Sequence, residues 1–144
     1  MPTFEIQEVD HQILLKVTVE EPSSGGGMTV SAGMRHEMFD ALVDTGAQRT
    51  FISSNVVSRL GAVPVDVGSF LSANGESQET EVFRLRVNIP FPQTGDRSLT
   101  IATGKDLNVM MLPFQPHNFD VLLGLDFLRQ FHITMHNGLF LLSN

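Results

Sequence analysis

The stretch ALVDTGAQRTFIS, residues 41–53, decides how this chain is read. Ala41, Leu42 and Val43 have the character of a buried strand, and that strand runs straight into Asp44. A carboxylate at the end of an apolar strand is costly to desolvate unless it faces water or is held in a site that uses it. The commonplace explanation is an Asx-type turn, for which Asp followed closely by Gly is well suited. The other explanation is a site built around the acid, and the surrounding sequence has to choose between them.

Outward from that stretch, most of the chain reads as strands. QILLKVTVE (12–20) is rich in β-formers and ends at EPSSGGG, a turn of Pro, Ser and Gly. MTVSA (28–32) and HEMFDALVD (36–44) predict two more strands. SSNVVSRLG (53–61) predicts a short helix, with Ser53 or Ser54 as its N-cap and Gly61 just past its C-terminus. In 69–89, Asn74-Gly75 lies between two extended arms and predicts a hairpin. The second arm alternates Val82, Arg84 and Arg86 with Phe83, Leu85 and Val87, as a half-buried strand does.

Further strands are predicted around 97–102 and 106–112, and the loop PFQPHNF leads into the apolar run DVLLG (120–124). LDFLRQF (125–131) reads as a helix with Asp126 near its N-terminus, where the helix dipole favours an acid. HITMHNGLFLL closes the chain as a hairpin about Asn137-Gly138. No linker divides the chain and no repeat of fixed period runs through it, so a single, mostly-β domain spanning 1–144 is expected, its first 35 residues the least determined. One quasi-repetition matters: ALVDTGAQ and DVLLGLDFL each place an apolar strand before a Gly and lead to a short helix, but only the first carries Asp-Thr-Gly.

Composition narrows the function classes. The chain has 144 residues, enough for one domain with a proper core. Nine Lys and Arg against sixteen Asp and Glu give a net charge of −7, which argues against nucleic acid or an anionic membrane as partner. There is no Cys, which excludes disulfides and thiolate chemistry and suits a reducing compartment; a cytoplasmic location is expected. The N-terminus lacks the long apolar run of a signal peptide, and no stretch has the apolar length of a membrane span. His132 and His136 lie in a predicted strand with no carboxylate or thiol at a ligand spacing, so neither a metal nor a cofactor is expected. GGG at 25–27 lacks the Lys and the strand–helix setting of a phosphate loop.

Taken together, the two related segments resemble the retropepsin-like aspartic proteases, the group that contains the retroviral proteases. ALVDTGAQRTFIS is similar to that family's active-site strand, with apolar residues, Asp-Thr-Gly-Ala, then Thr and more apolar residues. FDVLLGLDFLRQF is similar to its second signature, and ANGES falls where the family has its flap tip. The forms Asp-Thr-Gly-Ala-Gln and Leu-Leu-Gly-Leu-Asp-x-Leu-Arg are nearest those of DNA-damage-inducible ubiquitin-shuttle proteins and bacterial relatives. The likeness covers roughly residues 36 to 142. It departs where retroviral members have Gly-Arg and this chain has Gly124-Leu125-Asp126, so their arginine–aspartate pairing does not carry over.

The resemblance implies a retropepsin-like β-barrel that works as a two-fold homodimer on a polypeptide substrate. Asp44 would be catalytic, one of two carboxylates sharing a proton. The second must come from another copy, because the chain holds no second Asp-Thr-Gly. Thr45, Gly46 and Ala47 would support the loop. Ala73, Asn74 and Gly75 would form the tip of a flap that closes over substrate, and Leu122, Leu123 and Gly124 would be structural. Two other readings stay open at this level: a catalytically silent homodimer that binds peptides or a partner in the same groove, and a small β-barrel carrying an apolar ligand.

Overall fold

The computed structural model of the chain describes residues 3–7, 12–22, 37–92 and 100–143. The predicted strand at 28–32 and the glycines at 25–27 lie outside these residues. The elements follow in chain order: β1 (Thr3–Gln7), β2 (Leu14–Glu20), β3 (Glu37–Val43), β4 (Phe51–Ile52), α1 (Ser54–Leu60), β5 (Asp66–Leu71), β6 (Ser77–Pro92), β7 (Thr100–Met111), β8 (Val121–Leu123), α2 (Leu125–Leu128), β9 (His132–His136) and β10 (Leu139–Ser143). The protein is mostly β, as the sequence predicts.

Six strands close on themselves. β2 pairs with β3, β3 runs parallel to β8, β8 pairs with β4, β4 runs parallel to β7, β7 pairs with β6, and β6 returns to β2. The ring is a barrel, and β5 hangs outside it, paired with β6. A second sheet, in the order β1-β10-β9, brings the two ends of the chain together. Val17, Val19, Ile52, Phe83, Val87, Ile89 and Leu123 of the barrel strands are fully buried, as are Phe127 and Leu128 of α2, in one apolar core. At about 25 cal/mol per Å² of apolar surface, such side chains supply the main driving force for the fold.

Local chemistry sets the element ends. The Ser53 side chain accepts a hydrogen bond from the Val56 N–H at 3.4 Å and so caps α1. Gly61, at φ 62°, ends the helix in the left-handed conformation that glycine adopts without steric cost. Asn137 and Gly138 both have positive φ, 48° and 75°, which gives the two-residue turn that matches strand twist between β9 and β10.

Two expectations are corrected. The two predicted strands at 97–102 and 106–112 are one strand, β7, among the described residues from Thr100 onward, because its ladder with β6 continues unbroken through Gly104. Gly104 allows this: a Cβ there would lie 1.8 Å from the buried Asn88 side-chain oxygen. The helix predicted over 125–131 stops at Leu128, since Arg129 and Gln130 already turn toward β9. β1 lies within the first 35 residues, where the sequence determines least, and it pairs with β10 from the other end of the fold.

Candidate active site

β3 and β8, the strands of the quasi-repeated segments, lie side by side and parallel, with Ala41, Leu42 and Val43 opposite Val121, Leu122 and Leu123. Both chains then leave the sheet together. The Asp44 N–H donates to the Leu123 carbonyl at 3.0 Å, which carries the pairing one residue beyond β3. Asp44 is half-buried, and Thr45 and Gly46 are exposed. The Asp44 side chain accepts a hydrogen bond from the Gly46 N–H at 2.9 Å, and its carbonyl accepts one from Ala47 N–H at 3.2 Å. The carboxylate thus sits on a short, tightly folded loop at the rim of the barrel.

Gly46 leaves room for the Asp44 carboxylate rather than supplying a special φ. It is not among the glycines of positive φ, but a Cβ on it would lie 3.2 Å from the Asp44 carboxylate oxygen. Ala47 is half-buried, and its carbonyl accepts from the Leu125 N–H at 2.8 Å. The second signature therefore grips the first loop directly.

That grip is strongest at two residues that sequence reasoning did not connect. Thr50 is fully buried, and its N–H and hydroxyl donate to the two carboxylate oxygens of Asp126 at 3.0 and 2.7 Å. Asp126 also accepts from the Phe127 N–H at 2.8 Å, and the Thr50 hydroxyl accepts from the Gly124 N–H at 3.2 Å. Bonds to an ionised acceptor are about twice as strong as neutral ones. Asp126 thus does more than face the dipole of a helix, which at four residues is short. The usable signal was a polar residue two places after Gly124 inside an otherwise apolar run.

Gly124 is buried against the backbone. A Cβ there would stand 2.3 Å from the Arg49 carbonyl oxygen, so any side chain would force the two loops apart. Leu123 and Val121 are fully buried, as expected of structural residues. Leu122 is not: it is half-buried, in one cross-strand row with Leu42 and Phe51, which are half-buried as well. The run 121–123, read in the sequence as one apolar strand, is core only at Val121 and Leu123. Phe51 and Phe70 of β5 meet in an edge-to-face contact, ring centroids 5.1 Å apart at 76°. Leu42, Leu122, Phe51 and Phe70 form an apolar strip that starts two residues from Asp44, and no charged side chain interrupts it along this row.

Ala73, Asn74 and Gly75 are exposed at the tip of the β5–β6 hairpin. The Gly75 N–H donates to the Ser72 carbonyl at 2.9 Å, the Ser72 N–H donates to the Glu76 carbonyl at 2.9 Å, and Gly75 has φ 82°. Asn74 keeps negative φ, and its side-chain oxygen accepts from the Glu76 N–H at 3.2 Å and from the Ser72 hydroxyl. This is a three-residue loop, unlike the two-residue turn at Asn137-Gly138. Among the described residues no cluster of His, Cys, Asp and Glu could hold a metal ion, and no helix is long and apolar enough to cross a membrane.

A family model described as "gag-polyprotein putative aspartyl protease" matches residues 30–130, well over half of the chain. No curated protein matches it. Among solved structures, the chain is similar to the crystal structure of a retropepsin-like aspartic protease from Rickettsia conorii. The TM-score is 0.58 at 14% identity, over 97% of this chain and 89% of that one. At that identity the likeness speaks for the fold, while the family model speaks for descent, and the two agree. The chain belongs to the retropepsin-like aspartic protease family.

Proposed function

We propose that the chain is an aspartic endopeptidase whose catalytic pair is Asp44 from each of two copies. The observation that carries this reading is the setting of Asp44. Its loop is fixed from below by Leu123, Gly124, Leu125 and Asp126, yet its carboxylate accepts one hydrogen bond among the described residues and the loop stays exposed. A loop so firmly held and so open is suited to meet its own copy across a two-fold axis. In that arrangement Gly46 lets the loops approach and Thr45 supplies a hydroxyl to the contact.

Two carboxylates about 3 Å apart share one proton, because both cannot ionise easily. The anionic partner takes a proton from water as the water oxygen attacks the scissile carbonyl carbon. The neutral partner hydrogen-bonds the developing oxyanion. Collapse of the tetrahedral intermediate breaks the C–N bond, and a proton from the pair goes to the leaving nitrogen. The rate should be bell-shaped in pH, with a maximum on the acid side. It falls when the pair loses its shared proton and again when both carboxylates are protonated.

The apolar strip Leu42–Leu122–Phe51–Phe70 supports a floor for substrate side chains, and the β5–β6 hairpin would serve as the flap that excludes water over it. An extended polypeptide fits such a cleft as an added strand. The reading takes the whole of 1–144 as one such domain acting in the cytoplasm.

The test compares the parent with Asp44→Asn on a proteome-derived peptide mixture by mass spectrometry, with the solution mass measured alongside. Cleavage by the parent alone, from a dimer, supports the proposal. A parent that cleaves nothing but binds peptides as well as Asp44→Asn does would make the chain a silent binding module. Normal cleavage by a strict monomer would exclude the shared pair.

A further inference from the structure

A short way past Asp44 the chain carries Arg49, a cation with no counter-charge in a protein of net charge −7. Other cations of the barrel are occupied. Lys16 pairs with Asp40 at 2.6 Å, Arg59 with Glu37, and Arg86 with Asp106 at 3.2 Å. Arg84 donates to the Asn108 side-chain oxygen at 3.3 Å, and Lys105 donates to the Asp126 carbonyl at 3.0 Å. Among the described residues, the side chains of Arg49 and Arg129 alone have neither an ion pair nor a hydrogen bond. Asp126, on the loop that packs against Arg49, has turned both carboxylate oxygens to Thr50 and Phe127.

The backbone of Arg49 is nevertheless firmly held. The Gln48 carbonyl accepts from the Asp126 N–H at 3.2 Å, the Thr50 N–H donates to the Asp126 carboxylate at 3.0 Å, and the Arg49 backbone packs on Gly124. From here the chain alternates in exposure: Arg49 is exposed, Thr50 buried, Phe51 half-buried and Ile52 buried. Arg49 and Phe51 therefore leave the chain on the same side, away from the core. Phe51 belongs to the apolar strip Leu42–Leu122–Phe51–Phe70, so Arg49 sets a positive charge at the edge of that strip.

The spacing from Asp44 follows from the strand order β3-β8-β4. Asp44 bonds Leu123 on one side of the β8 exit, and Arg49 packs on Gly124 at the other. Two strand spacings, about 9.6 Å, thus separate the two backbones. The strip runs across the strands, and a peptide laid along it in extended form advances about 3.3 Å per residue. Arg49 consequently stands about three peptide residues from the reacting bond.

We infer that Arg49 selects substrates with an Asp or Glu about three residues from the cleaved bond, given the protease reading proposed for the site. A guanidinium offers a carboxylate two parallel N–H donors, and it repels a Lys or Arg at the same place. Each Asp44 brings its own Arg49, so two-fold symmetry puts one guanidinium on either side of the bond. The favoured substrate is acidic on both sides at like distances, with apolar residues between.

The experiment identifies the bonds cut in a proteome-derived peptide mixture by the parent, by Arg49→Glu and by Arg129→Glu. The last variant changes net charge equally, at the other unpartnered cation. The parent should enrich Asp and Glu about two to four residues from the bond on both sides. Arg49→Glu should replace that preference with Lys and Arg, and Arg129→Glu should keep the parent's profile. In a peptide that the parent cuts, exchanging one such Glu for Lys should lower kcat/KM about ten-fold, mainly through KM. Arg49→Glu should reverse that order, and added salt should shrink the difference. A parent that cleaves nothing brings down the protease reading and the selection with it. A parent that cleaves without regard to acidic residues overturns the selection alone. An Arg129→Glu profile shifted as far as that of Arg49→Glu does the same, since overall charge would then be the cause. Loss of the dimer in Arg49→Glu, read as solution mass, would assign Arg49 to the contact between copies and overturn it too. Both positions are exposed, and thermal melts check that the variants fold.

Discussion

Two loops leave this barrel side by side, and they have been built for opposite purposes. The loop after β8 is sealed: Gly124 is packed on the Arg49 backbone, and Asp126 spends its carboxylate on Thr50 and Phe127. The loop after β3 is open: Thr45 and Gly46 are exposed, and Asp44 keeps most of its hydrogen-bonding capacity unspent among the described residues. Each carries one aspartate shortly after its strand, Asp44 in a turn and Asp126 in the first turn of α2. What separates a structural from a candidate catalytic carboxylate is the number of donors already aimed at it, and the sealed loop is what holds the open one still.

Changes to the two loops should therefore fail in different ways. Asp44→Asn should lower peptide cleavage by at least about 10³-fold while circular dichroism and melting temperature stay near the parent's, because general acid–base chemistry is lost and packing is not. Gly124→Ala should behave in reverse. With a Cβ 2.3 Å from the Arg49 carbonyl the backbone must move, and the loss should be about 3 kcal/mol or more, seen as a fall in melting temperature of about 10 °C.

Asp126→Ala leaves the buried Thr50 hydroxyl and N–H without their acceptor and should cost about 2–3 kcal/mol in urea denaturation. Asp126→Asn retains one acceptor oxygen and should cost about half of that. Smallest in stability is Gly46→Ala, under about 1 kcal/mol at an exposed site. It should nevertheless reduce the cleavage rate about ten-fold, since its methyl group displaces the Asp44 carboxylate by a few tenths of an ångström. If Gly46→Ala instead melts the protein and Gly124→Ala spares it, the division between open and sealed loops is wrong.

The sequence made the local features readable because their causes are local. Ser53 and Gly61 bracket α1 through contacts a few residues away, and each Asn-Gly pair marks a turn within its own hairpin. The alternation of Phe83, Leu85 and Val87 against Arg84 and Arg86 gave the buried face of β6. The apolar strands before Asp44 and Gly124 are parallel neighbours, which their likeness in sequence does not by itself announce. What stayed hidden depended on distant partners. Asp126 finds Thr50 76 residues away, and nothing near Asp126 in the sequence announces a hydroxyl. Leu122 reads like Val121 and Leu123, and the barrel alone decides that it faces out of the core. The Asn74 loop and the Asn137 turn share a dipeptide, yet differ in loop length and in the sign of φ at Asn, which the ladder register fixes.

The central claim is that one carboxylate from each of two copies completes the site, and subunit mixing tests it most directly. Parent protein at fixed concentration is equilibrated with a nine-fold excess of Asp44→Asn chain, and cleavage of a fluorogenic peptide is followed. A shared pair predicts that activity falls to about one tenth, because most parent subunits then sit in mixed dimers holding a single aspartate. Activity unchanged by the excess would contradict the account.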